Sequence, residues 1–97
     1  MFDKMKQLME LKKQADQLKK ELEAVVLEVN DVRGIKLVIN GSQEIKSIQI
    51  DPSLLNEGNK ARLEGDLLKS FNSAVKKAQM TAAKKMQNLL PQGFPGI

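Results

Sequence analysis

The sequence predicts an α+β fold: a long helix, a three-stranded antiparallel sheet and a second long helix. Apolar residues recur at helical spacing over about the first 23 residues. The middle of the chain alternates apolar and polar residues between turn-forming Asn, Gly and Pro. Helical spacing then returns from about Lys60 to Leu90.

The first helix runs from residue 2 to about 23. Leu8, Leu11, Ala15, Leu18 and Leu22 form its apolar stripe, and from Leu11 the spacing is 4, 3, 4, the seam of a coiled coil or helix pair. Phe2, Met5 and Met9 widen that face near the N-terminus. At ~1.5 Å per residue the helix is about 33 Å long, which predicts an arm that projects beyond the core.

Ala24 to Val29 are rich in β-branched residues and read as the first strand. Asn30 to Gly34 supply a turn. Ile35, Leu37 and Ile39 alternate with Lys36, Val38 and Asn40, as a half-buried strand does. Asn40-Gly41 predicts a tight type I′ hairpin with positive φ at Gly41. Ile48 and Ile50, alternating with Ser47 and Gln49, form the third strand.

Asp51-Pro52-Ser53 ends the sheet, because Pro cannot donate to a ladder and suits the first turn of a helix. Leu54 and Leu55 are expected to fold back on the core. Asn59 is the expected N-cap of the second helix, in which Leu67, Phe71, Ala74, Ala78, Ala82 and Leu89 share a face. Alanines on that face predict close approach to a neighbour. Pro91 should stop the helix, leaving 91–97 as a tail. At 97 residues the chain is a single domain, 1–97, small enough that pairing with a second copy would stabilise it.

The chain has no Cys, His, Trp or Tyr. The commonest general base, metal ligand and thiol nucleophile are therefore missing. Most carboxylates sit beside Lys on solvated helix faces. The expectation is a protein that is not an enzyme, with no cofactor, no metal and no small-molecule substrate. No run approaches the roughly 18 apolar residues of a membrane span, and the N-terminus is too densely charged for a signal peptide. The expected location is the cytoplasm, with no membrane partner.

The net charge of +4 is unevenly spread: residues 1–23 carry +1, residues 24–57 carry −2 and residues 58–97 carry +5. No acid follows Asp66, whereas Lys69, Lys76, Lys77, Lys84 and Lys85 do. At about 100° per residue, Lys69, Lys76, Lys77 and Lys84 fall within one third of the circumference, with Lys85 near the edge of the apolar face. Helix faces usually mix both signs, because i,i+4 pairs stabilise helices. A one-signed run points to a polyanion, although a solvated face is the alternative. Lys12, Lys13, Lys19 and Lys20 are secondary candidates, because Glu10, Asp16, Glu21 and Glu23 lie among them.

Several segments together resemble the YbaB/EbfC family of bacterial nucleoid-associated proteins. They are Val29–Asp31, Lys36–Gly41, Ile48–Leu55, Phe71–Ala74 and Leu90–Phe94, in the family's order along essentially the whole chain. Asp51-Pro52-Ser53-Leu54-Leu55 after an isoleucine strand is the most specific. Two features depart from the family: the Asn30–Gly34 turn is shorter than its usual Gly-rich loop, and Gly65-Asp66 replace an acid and an apolar residue. The resemblance implies a homodimer joined through its strands, with projecting helical arms and a tweezer-like body that holds double-stranded DNA. It also implies a place in the nucleoid and a role in nucleoid organisation or gene regulation. The lysine assignments rest on charge distribution and not on the resemblance. Lysines contact phosphates without reading bases, so sequence-tolerant backbone binding is expected. Two other readings stay open. One is a prefoldin-like chaperone, in which Met5 and Met9 would grip unfolded chains. The other is a protein–protein adaptor.

Overall fold

A computed structural model describes residues 2–89, with the side chains of 3–88. Helix α1 (Phe2–Ala24) leads into strands β1 (Leu27–Val29), β2 (Ile35–Ile39) and β3 (Ile45–Ile50). Two 3₁₀ turns, Pro52–Leu54 and Glu57–Asn59, connect the sheet to helix α2 (Lys60–Leu89). The strands form an antiparallel meander in the order β1-β2-β3. The predicted helix–sheet–helix order is therefore present. Pro91 as a helix stop and the 91–97 tail lie outside the described residues.

The core sits on β2. Ile35, Leu37 and Ile39 are buried and alternate with half-buried Lys36 and Val38, as the period-two expectation requires. Residues directly opposite in an antiparallel ladder share a face. Ile50, Ile48 and Ile45 stand opposite Ile35, Leu37 and Ile39, so all six lie on the inner face. Helix α2 lies over β1 and β2, where Ala74 and Ala78 are fully buried and Phe71 and Leu27 pack beside them. The small alanines allow the helix to approach the strands closely. β3 is left out of this packing: Ile45 is 39% and Ile48 43% exposed.

Three local expectations are corrected. The first strand is not Ala24–Val29: α1 continues through Ala24, and the Val25 amide donates to the Leu22 carbonyl at 3.2 Å. Only Leu27–Val29 pair, opposite Leu37–Ile39. The hairpin is not a two-residue turn, and Gly41 does not hold positive φ. Instead, the Asn40 amide donates to the Glu44 carbonyl at 3.0 Å and Gln43 adopts φ 65°. The buried Asn40 side chain organises this wider loop. Its Oδ1 accepts from the Ser42 and Glu44 amides, and its Nδ2 donates to Glu44 Oε1 and the Glu23 carbonyl. With those local partners available, the amide side chain favours the wider loop. The third strand starts at Ile45, and the register slips by one residue between Val38 and Ile39. That bulge returns Ile45 to the inner face.

At the opposite end of the sheet, Gly34 has φ 90° and the Ile35 amide donates to the Val32 carbonyl, as in a type II turn. Asp51 caps the 3₁₀ turn that opens at Pro52, accepting from the Ser53 amide at 2.9 Å. Leu54 folds back beside Gly34, but Leu55 is exposed, so only one of the two leucines reaches the body. Asn59 closes the second 3₁₀ turn, and its side-chain amide donates back to the Leu54 carbonyl at 2.8 Å. That donation takes the place of the N-cap acceptance expected of it.

Candidate nucleic-acid interface

Two contacts fix the direction of α2. Ser73 Oγ donates to the Asp31 carboxylate, and Lys77 Nζ donates to the Glu28 carbonyl at 2.8 Å. The helix thus runs antiparallel to β1, from the Gly34 end of the sheet toward the Asn40–Glu44 loop. The Gly41 amide donates to the Leu22 carbonyl, which anchors α1 at that same end. Thirty helical residues span only about 45 Å, whereas the molecule is 67 Å long. The first helix therefore projects from the body as an arm. Leu18 and Leu22 are half-buried at its base, while Met5, Leu8, Met9 and Leu11 are exposed toward its tip.

Seen down its axis at about 100° per residue, α2 has three faces. Ser70, Ala74 and Ala78 point at the sheet. Leu68, Val75 and Met86 form a second apolar line, about 110° away on the side of β3. Leu68 and Met86 are largely exposed and Val75 half-buried. A cationic line forms the third face, on the side of β1.

The candidate lysines divide between these faces. Lys69, Lys76 and Lys84 are exposed on the cationic face, and no ion pair among the described residues involves them. Lys77 lies on the flank of that face, where its ammonium is committed to the Glu28 carbonyl of β1. Lys85 is half-buried and lies in line with Ala74 and Ala78. It is therefore within the inward face and not at its edge. The structure thus brings three of the five candidate lysines of α2 together, outside any ion pair among the described residues.

Arg62 belongs with them and the sequence reading passed over it. It lies seven residues before Lys69, as Lys69 does before Lys76, so the three are stacked about 10 Å apart along one line. The regular spacing was readable, but Glu64 and Asp66 make that turn look neutral. The structure separates them: Glu64 pairs with Lys60, and Asp66 approaches Arg62 only to 3.9 Å. Exposed pairs of this kind contribute about 0–1 kcal/mol. From Arg62 to Lys84 the line is roughly 33 Å long. Ser73, Met80 and Gln87 share this flank, so no carboxylate interrupts the line after Asp66.

Lys12, Lys13, Lys19 and Lys20 are exposed on the arm. Lys12 and Lys19 share their flank with Asp16 and Glu23, within about 60°. The arm therefore offers no one-signed surface. Among the described residues no helix is long and apolar enough to cross a membrane, and no group of three or more Asp or Glu could hold a metal ion.

The sequence profile of the YbaB/EbfC DNA-binding family matches residues 1–94. A nucleoid-associated protein of Dictyoglomus thermophilum is 33% identical over 95 residues, covering 97% of this chain and 90% of the relative. One of Dictyoglomus turgidum is 32% identical over the same share of both chains. The crystal structure of an uncharacterized protein from Helicobacter pylori superposes with a TM-score of 0.80 at 22% identity. That match covers 94% of this chain and 98% of the other. It establishes the shared fold.

Proposed function

The chain belongs to the YbaB/EbfC DNA-binding family, and from that premise we propose a homodimeric nucleoid-associated protein that holds double-stranded DNA by its phosphates. The observation that carries the reading is the cationic line of Arg62, Lys69, Lys76 and Lys84, along which no acid follows Asp66. Three of its four members are lysines, which meet phosphates as point charges and position a duplex without reading bases. The absence of Trp and Tyr removes the usual stacking platform for single strands. Two unrelated duplexes should therefore shift alike in a gel, and both complexes should weaken steeply with salt. Binding of only one duplex, or binding indifferent to salt, would overturn the proposal.

The dimer part rests on the two edges of the sheet. β1 is three residues long, and Lys77 already occupies its Glu28 carbonyl. Short, lysine-guarded edges resist further pairing. β3 has six residues, with bare isoleucines on its inner face beside the Leu68, Val75 and Met86 line. A second copy seated on β3 would cover both. Sedimentation equilibrium at low micromolar concentration should return a dimer, and a folded monomer there would refute this assembly.

The same dimer accounts for a nucleoid location and a part in nucleoid organisation. A prefoldin-like chaperone would act through the exposed apolar residues of the α1 tip. It is distinguished by suppression of aggregation that persists at high salt, where phosphate binding fades.

A further inference from the structure

We propose that Asn40–Gly41 is a latent deamidation site, closed while α1 is seated on the loop after β2 and opened when the helix lifts from it. The inference stands within one protomer and is independent of DNA binding.

The chemistry belongs to the dipeptide. The Gly41 nitrogen attacks Asn40 Cγ and gives up its proton to solvent, and the side-chain nitrogen leaves as ammonia. Water then opens the cyclic imide at one of its two carbonyls, giving aspartate or isoaspartate. A glycine after the asparagine puts no Cβ in the way of the attacking nitrogen.

The fold holds each reacting atom away from this path. The Gly41 amide donates to the Leu22 carbonyl at 2.8 Å, so ring closure requires that bond to break. The leaving nitrogen, Asn40 Nδ2, donates to Glu44 Oε1 at 2.7 Å and to the Glu23 carbonyl at 3.4 Å. Asn40 is 1% exposed and Gly41 is buried, which keeps water from the carbon under attack. The Leu22 and Glu23 carbonyls both belong to the last turn of α1, so lifting that helix removes two of these holds together.

Packing also explains why so labile a pair stands here. A Cβ on Gly41 would lie 2.8 Å from the Leu22 oxygen, and the Asn40 side chain is the organiser of the loop. The reaction runs one way. It replaces the Nδ2 donor by a carboxylate oxygen facing Glu44 Oε1 and the Glu23 carbonyl, both acceptors. A like charge and a lost donor oppose reseating of α1.

The test follows the tryptic peptide Leu37–Lys46 by mass spectrometry while the protein is held at mildly alkaline pH. A synthetic peptide of the same sequence is the reference. Asn40 in the folded protein should deamidate at least about ten-fold more slowly than in the peptide, because the rate follows the population of the open form. Equal rates would overturn the proposal. Leu22→Ala, which loosens the seat, should accelerate the reaction at least about five-fold, and so should urea below the denaturation midpoint of wild type. Hydrogen exchange locates the opening. Deamidation that tracks the Gly41 amide identifies the lifting of α1. Deamidation that tracks the amides of β2 instead, or that ignores both perturbations, would overturn α1 as the gate. Deamidated wild type, separated by its added negative charge, should keep the sheet and exchange its α1 amides at least about five-fold faster than intact protein. Unchanged exchange there would overturn the one-way consequence.

Discussion

The amide of Gly41 donates to the carbonyl of Leu22 at 2.8 Å, and a Cβ built on Gly41 would lie 2.8 Å from that same oxygen. The glycine is required because the loop after β2 lies directly against the last turn of α1. It is the seat on which the arm rests. Its φ is not positive, so conformational freedom is not the reason.

A side chain at this position must therefore displace a backbone carbonyl. Gly41→Ala should destabilise the protein by about 1–3 kcal/mol, the usual cost of overpacking, and Gly41→Val by more. Urea denaturation monitored by circular dichroism gives the answer. An unchanged midpoint for both variants would mean that the arm does not seat on the loop.

Ser70 predicts the opposite sign. Its hydroxyl is buried on the sheet-facing side of α2 and has no hydrogen-bond partner among the described residues. A buried donor without a partner costs about 1–3 kcal/mol, so Ser70→Ala should be neutral or stabilising by up to about 1 kcal/mol. Ser73→Ala, three residues on, removes a hydrogen bond to Asp31 and should destabilise. If both variants lowered the denaturation midpoint equally, the hydroxyl of Ser70 would have to be satisfied.

These residues show what the sequence could disclose. The strand β2 was legible because a strict alternation leaves one reading of which side chains are buried. The periodicity also marks α2 from Lys60 onward, and its expected last residue, Leu90, lies outside the described residues. Gly41 was picked out as indispensable, but for torsional reasons, because a dipeptide pattern cannot report a neighbour 19 residues earlier in the chain. Lys77 and Lys85 were grouped with the free lysines because net charge ignores what each ammonium meets. One is held by a strand carbonyl and the other is turned inward, and both facts are tertiary.

Asp51 sets an acid-side dependence. The Ser53 amide and hydroxyl, with a smaller effect from Arg33, stabilise its carboxylate and lower its pKa below the ordinary value of 3.8. A lowered folded-state pKa contributes stability above the unfolded value, and that stability is lost as pH falls through the folded value. Asp51→Asn should thus weaken the protein at neutral pH, and the gap between variant and wild type should narrow toward about pH 2.5. Denaturation midpoints at both pH values would reveal it. A gap that widened on acidification would reverse the sign argued here.

The cations of α2 can be told apart by salt. Each phosphate neutralised adds about −0.9 to the slope of log K against log salt. Lys69→Gln with Lys76→Gln removes up to four cations per dimer, so the slope should become shallower by roughly 3–4 units, equally on unrelated duplexes. Arg62→Gln removes two and should change it by about 2 units. Lys77→Gln should leave the slope near the wild-type value, because its ammonium is held by Glu28 of β1 and does not face the duplex. Its effect should appear in the denaturation midpoint, through the loosened edge of the sheet. Lys12→Gln with Lys13→Gln should alter the slope less than the α2 pair, since Glu10 and Asp16 already offset those charges. Gel-shift titrations at four salt concentrations on all variants provide the comparison. A slope that fell with Lys77→Gln and held with Lys69→Gln and Lys76→Gln would move the contact from the outer line to Lys77 at the edge of β1. A slope lost only with the arm variant would move it to α1.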